Sequence, residues 1–190
     1  MRTFHVFAMA GVLLTVAATP ARADGFVTPF IGYNFGGDSN CAQLSGCQDK
    51  RLNFGVSFGR MGKVLGFEED VAFAKDFFGT APNVDNSVFT AMSNLLVGVG
   101  AGPVQPYFLI GVGVIRPHTS LTLSNSDFDK YGIGYDIGGG VNGFFSKHVG
   151  LRGDLRHLHT AQDVPVPVSQ VFTTSQRLDF WRASIGLVLR

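Results

Sequence analysis

Seven charged residues interrupt otherwise apolar stretches, and their types and spacing are the first candidates for chemistry. Glu68 and Asp70 stand two apart in VLGFEEDVAFAKD, and Asp136 stands alone in YGIGYDIGGGVNG. Arg152, Asp154 and Arg156 alternate in GLRGDLRHL, and Arg182 stands in FWRASIGLVLR. Residues two apart on an extended strand face the same side, so each stretch presents its charges together. Both signs are present, which leaves three chemistries open: a mutually neutralising ion-pair network, a narrow gated ion path, or an acid/base pair. Charges packed together in a protein interior generally exist as satisfied networks, so an ion-pair plug is the expectation.

His157 and His159, also two apart, could suit a metal or a catalytic base, but their strand is ending and a polar residue at a rim is the plainer reading. Acyl or phospholipid hydrolysis would need a serine, a histidine and an orienting carboxylate in one cluster. Ser57, Ser93 and Ser184 are spread over different segments and none sits in a nucleophile motif. No catalytic residue, cofactor site or metal site is therefore expected. Cys41 and Cys47 lie in one polar segment of an exported chain, where a disulfide is the expectation and a metal pair the rival. Closing so small a loop would contribute about 2 kcal/mol at most.

The elements that must position these groups follow from hydrophobic periodicity. In the stretch from Tyr131 to Leu158, Tyr131, Ile133, Tyr135, Ile137 and Val141 share one face, whereas Gly132, Gly134, Asp136, Gly138, Gly140 and Asn142 share the other. After Ser146-Lys147-His148, Val149, Leu151 and Leu155 alternate with Arg152, Asp154 and Arg156. The same alternation marks strands at Phe26 to Gly36, Arg51 to Gly59, Val64 to Asp76, Val88 to Val99, Gln105 to Arg116 and Leu178 to Leu189. The register of the fourth strand is left open, because Phe89, Ala91, Leu95 and Val97 compete with Met92 and Leu96 for one face. The apolar run from Leu95 to Ile115 contains Pro103, Pro106 and five glycines, so it reads as two strands and a turn rather than a helix. Eight strands result, joined alternately by long and short connections. One face is apolar and the other small or polar, the pattern of an eight-stranded antiparallel up-and-down transmembrane β-barrel, whose lumen is only wide enough for side chains.

The first residues, MRTFHVFAMAGVLLTVAATPARA, carry Arg2, an apolar core and a small-x-small site, which predicts a signal peptide over 1–23 cleaved between Ala23 and Asp24, with one domain over 24–190. Without Arg2 and Arg22, two of the 15 basic residues, 13 remain against 14 acidic ones, a formal charge of −1. That balance offers no footprint for nucleic acid. The 25 glycines and 18 phenylalanines suit tight strand packing and a lipid boundary.

On the signal peptide, the eight alternating segments, the glycine-rich VGVG and YGIGYDIGGGVNG strands, the Glu68/Asp70 strand, GLRGDLRHL and the terminal FWRASIGLVLR, the chain resembles the small outer-membrane β-barrel domain family of Gram-negative bacteria, the OmpA-type, OmpX-type and opacity-protein-like group. The resemblance covers essentially the whole chain after the signal peptide. It implies an outer-membrane location with both termini periplasmic, four external loops and a porin-like barrel that is a monomer. It implies lipid and lipopolysaccharide as surroundings and the barrel assembly machinery as a partner during biogenesis. A structural anchor or surface-interaction protein with an unidentified surface ligand is the leading function; a narrow pore or an OmpW-like path for small apolar solutes is the alternative, and a lipid-modifying enzyme the third.

Two departures stand out. Members of the group usually end on an aromatic residue, whereas this chain ends Val188-Leu189-Arg190. Glu69 falls on the apolar face between Phe67 and Val71, where a carboxylate is costly, and a local bulge turning it inward is expected. Trp181, Tyr33, Tyr131, Tyr135 and Tyr107 are expected in interfacial girdles.

Overall fold

In the computed structural model, the strict two-residue alternation becomes a single curved sheet that closes on itself. The structure describes residues 24–37, 50–78, 84–100, 102–121, 126–129, 131–161, 164–167 and 173–190. Its strands are β1 (Asp24–Phe35), β2 (Lys50–Met61), β3 (Leu65–Lys75), β4 (Val84–Gly98), β5 (Val104–Leu121), β6 (Ser126–Asp129), β7 (Gly132–Phe144), β8 (Val149–Thr160), β9 (Val164–Pro167), β10 (Thr173–Gln176) and β11 (Asp179–Leu189). Eight of them form the barrel in the order β1, β2, β3, β4, β5, β7, β8, β11, and β11 returns to pair with β1. All these pairings are antiparallel. β6 extends the far end of β5, and β9 pairs with β10 in a separate ribbon.

Closure abolishes sheet edges, so backbone donors and acceptors along the staves are satisfied by neighbouring strands. The turns after β2, β4 and β7 lie at the same end of the barrel as the start of β1 and the end of β11: Asp24 is in register with Met61, and Leu189 with Val149. The longer connections lie at the other end. β4 and β5 run further toward that end than the periodicity predicts, starting at Val84 and finishing at Leu121.

The pairing settles the fourth strand. Met92 and Leu96 point inward, whereas Phe89, Leu95 and Val97 point outward. The outer wall is a nearly continuous apolar surface: Ile31, Phe54, Phe67, Phe108, Ile110, Ile133 and Ile185 are each half exposed or more. Water would not tolerate so large a bare patch; the hydrocarbon of a bilayer would.

Two expectations are corrected. Pairing of β3 runs unbroken through Phe58, Glu69 and Ser93, so there is no bulge at Glu69. The carboxylate stays on the outer wall, where the Ser93 hydroxyl on the neighbouring strand donates to it at 2.8 Å. A cross-strand hydrogen bond is a smaller perturbation than a break in the ladder on both sides. Tyr107 does not belong to a girdle, because it alternates with the outward Pro106 and Phe108 and is buried inside the barrel. The segment holding Cys41 and Cys47, like residues 1–23, lies outside the described residues.

Candidate functional site: the charged lumen

The inward faces of β3, β7, β8 and β11 bring all seven charged residues into one layer across the middle of the barrel. Arg156 is its hub. Its Nη2 lies 2.9 Å from Glu68 Oε1, its Nε 2.5 Å from Asp154 Oδ1, and its Nη1 3.4 Å from Asp70 and 3.6 Å from Asp136. Arg152 pairs with Glu68 through Nη1 and with Asp154 Oδ2 at 3.1 Å through Nη2. Arg182 reaches Asp70 Oδ1 at 2.5 Å. Four carboxylates thus meet three guanidinium groups, a surplus of one negative charge.

Polar residues that periodicity alone does not single out complete the layer. Ser57 donates to Asp70 Oδ2 at 2.8 Å, and the Asn94 amide donates to Glu68 Oε1 at 3.2 Å. Tyr107 donates its hydroxyl proton to Asp154 and accepts from Arg152 Nε at 2.5 Å, while the Arg152 guanidinium lies 4.6 Å from the centre of its ring. Asp136 is the least satisfied member, since neither carboxylate oxygen accepts a hydrogen bond among the described residues. Its Oδ1 and Asn94 Oδ1 come together over Gly111, where an added Cβ would collide with both. The parity of Tyr107 against Phe108, and of Asn94 against Leu95, was the available signal for these two.

Apolar side chains seal the layer on both sides. Toward the long connections, Phe77, Phe180, Leu158, Met92 and Val88 pack together, with the Phe77 and Phe180 rings 4.8 Å apart and nearly perpendicular. Toward the short turns, Phe26, Met61, Leu96, Leu109 and Val188 do the same. The charged side chains between are cut off from solvent: Glu68, Asp70 and Asp136 are 0% exposed and Arg156 and Arg182 1%. Two cavities beside the layer, one touching Arg182 and the other Arg152, each hold about 10 Å³, barely enough for one water. A filled lumen of this kind is the expected outcome for eight strands.

The remaining candidates do not join this layer. His157 and His159 stand on the outer wall at the rim near the long connections, where both contact Asp179, His157 Nε2 at 2.8 Å and His159 Nδ1 at 3.1 Å. Their rings lie beside Trp181 and Tyr135 at 4.8 Å and 5.1 Å. Among the described residues neither histidine meets a serine: Ser57 is engaged with Asp70 inside the barrel and Ser93 with Glu69 outside it. No group of three or more metal-ligating side chains is found among the described residues.

A closed eight-stranded barrel with an apolar outside and a charged, packed inside narrows the choice of family, and the sequence decides it by matching the outer membrane protein beta-barrel domain over residues 8–190. The chain belongs to that family. No curated protein sequence matches it. Among solved structures, it is similar to Neisserial surface protein A, with a TM-score of 0.68 at 19% identity, covering 88% of this chain and 97% of that one. A major outer membrane protein from Thermus thermophilus gives a TM-score of 0.55 at 13% identity, covering 89% and 99%. The attachment invasion locus protein of Yersinia pestis, in its complex with a heparin analogue, gives 0.50 at 13% identity, covering 87% and 99%. At these identities the likeness concerns the fold, and it agrees with an outer-membrane barrel.

Proposed function

We propose that this outer-membrane barrel is a non-enzymatic anchor whose closed lumen holds the staves together and whose long connections meet partners outside the cell, with both termini in the periplasm. One observation carries the reading: the mid-barrel charges are fully buried between two apolar seals. A conducting path would leave lumen-facing arginines and carboxylates in contact with water. Here the charges face one another, and the three guanidinium groups offset all but one of the four carboxylate charges. The apolar outer wall supports contact with lipid, and with lipopolysaccharide as part of the surrounding membrane, and a monomeric barrel needs nothing further to close. The connections spanning 36–49, which include Cys41 and Cys47, and 161–178 are the proposed contact regions, since loops on a rigid scaffold commonly carry recognition.

Osmotic swelling of proteoliposomes tests this reading. Liposomes holding the refolded chain should swell in isotonic arabinose no faster than empty ones, while an open porin in parallel swells readily. Uptake well above the empty control would replace the anchor with a solute path.

A further inference from the structure

At the end of the barrel that carries the short turns, the lipid-facing wall holds a groove whose edge, unlike the rest of that wall, is charged. It measures about 600 Å³ and is bordered by Val27, Phe58, Phe67 and Leu189, with backbone at Gly25 and Gly59 beneath. The bordering side chains are between 42% and 51% exposed, so nothing among the described residues covers them. The groove is shallow and open, and Gly25 leaves part of its floor without a side chain. An added Cβ there would meet only the Gly59 carbonyl oxygen, at 3.8 Å, so the space above residue 25 is open rather than filled by a neighbour.

The edge of the groove is cationic. Arg60, in register with Gly25 and Phe67, is exposed and makes no ion pair among the described residues. Lys63, in the following turn, is also exposed. Arg190 borders the groove but is engaged, donating to Gln105 Oε1 at 2.8 Å with its guanidinium 3.7 Å from the centre of the Phe144 ring. Against these stand Asp24 at the start of β1 and, further along the wall, Glu69, whose carboxylate is occupied by Ser93. An apolar slot that opens on an unpaired guanidinium suits an amphiphile with an acyl tail and a negative head. A soluble anion would leave the slot empty, and the phosphate of a zwitterionic lipid is already offset by that lipid's own ammonium group, so only a net anionic headgroup brings Arg60 an uncompensated negative charge.

We propose that this groove is a binding site for an anionic glycerophospholipid, with an acyl chain in the slot above Gly25 and the phosphate on Arg60. The site is independent of whether the lumen conducts.

Native mass spectrometry of the refolded chain, released from nanodiscs holding equal phosphatidylglycerol and phosphatidylcholine, tests it. The unmodified protein should retain phosphatidylglycerol several-fold over phosphatidylcholine. Arg60→Gln should abolish that preference and Arg60→Lys preserve it, while Gly25→Leu, which fills the slot, should reduce retention of both lipids. Heat-modifiable migration identifies the variants that fold. Equal retention of the two lipids by the unmodified protein would overturn the proposal, as would an undiminished preference in Arg60→Gln or unchanged retention in folded Gly25→Leu.

Discussion

Arg156 and Glu68, 88 residues apart in the chain, meet at 2.9 Å in the centre of the barrel, each with a side chain no more than 2% exposed. The contact ties β8 to β3 across the lumen, a connection that no strand pairing supplies. Arg156 also touches Asp154, Asp70 and Asp136, so one cation partners four carboxylates on three strands.

Removing that cation should be costly. Arg156→Met keeps most of the volume but leaves the carboxylates facing one another, and loss of one partner from a buried ionic network costs about 3–5 kcal/mol. Urea unfolding in lipid vesicles, followed by heat-modifiable migration, should show a loss of that size. A midpoint equal to that of the unmodified chain would mean that the network contributes nothing.

Asp136 should behave differently from its neighbours. Its oxygens accept no hydrogen bond among the described residues, whereas Glu68 is held by Arg152, Arg156 and Asn94. Asp136→Asn removes the surplus negative charge of the layer and supplies an amide that can donate to Asn94, so it should change stability by about 1 kcal/mol or less in either direction. Glu68→Gln should lose about 3 kcal/mol, in the range for a broken buried pair. Parallel unfolding curves compare the two.

Glycines on the two faces of the sheet should respond unequally to a methyl group. At Gly111 the added carbon would press on Asn94 and Asp136, whereas at Gly153, on the outer wall, it would meet nothing within 4 Å. Gly111→Ala should lose about 1–3 kcal/mol through overpacking, and Gly153→Ala should fold and unfold like the parent chain. The unfolding midpoints of the two variants decide this.

The polar pair on the lipid-facing wall gives a prediction of opposite sign. Glu69→Leu removes a carboxylate from an apolar belt, where charged side chains are destabilising by up to a few kcal/mol. The loss of the Ser93 bond offsets part of that gain, so a net stabilisation of about 1 kcal/mol is expected in vesicle unfolding experiments.

Much of this architecture was legible in the sequence because a barrel wall repeats a single rule. Phe67, Glu68, Val71 and Ala72 could each be assigned a face from parity alone, and the same rule placed Arg152, Asp154 and Arg156 inside. What parity does not contain is the stagger between strands, which decides that Asn94 stands beside Glu68 and that Tyr107 reaches Asp154. Glu69 shows the complementary failure: a rule that forbids charge on the apolar face predicted a bulge, yet a serine in register on the next strand provided a simpler accommodation. Met92 and Leu96 were ambiguous because β4 carries apolar residues on both faces, one toward lipid and one toward the seals of the lumen.

Single-channel recording of the refolded chain in planar bilayers asks whether the lumen is closed to ions. With insertion verified by heat-modifiable migration, the closed barrel predicts no steady current at about 100 mV in about 1 M KCl, a salt concentration at which the Debye length falls to roughly 3 Å and exposed electrostatic barriers are screened. A stable conductance that changes on substitution of Arg152 or Arg156 would contradict it and make the lumen a pore.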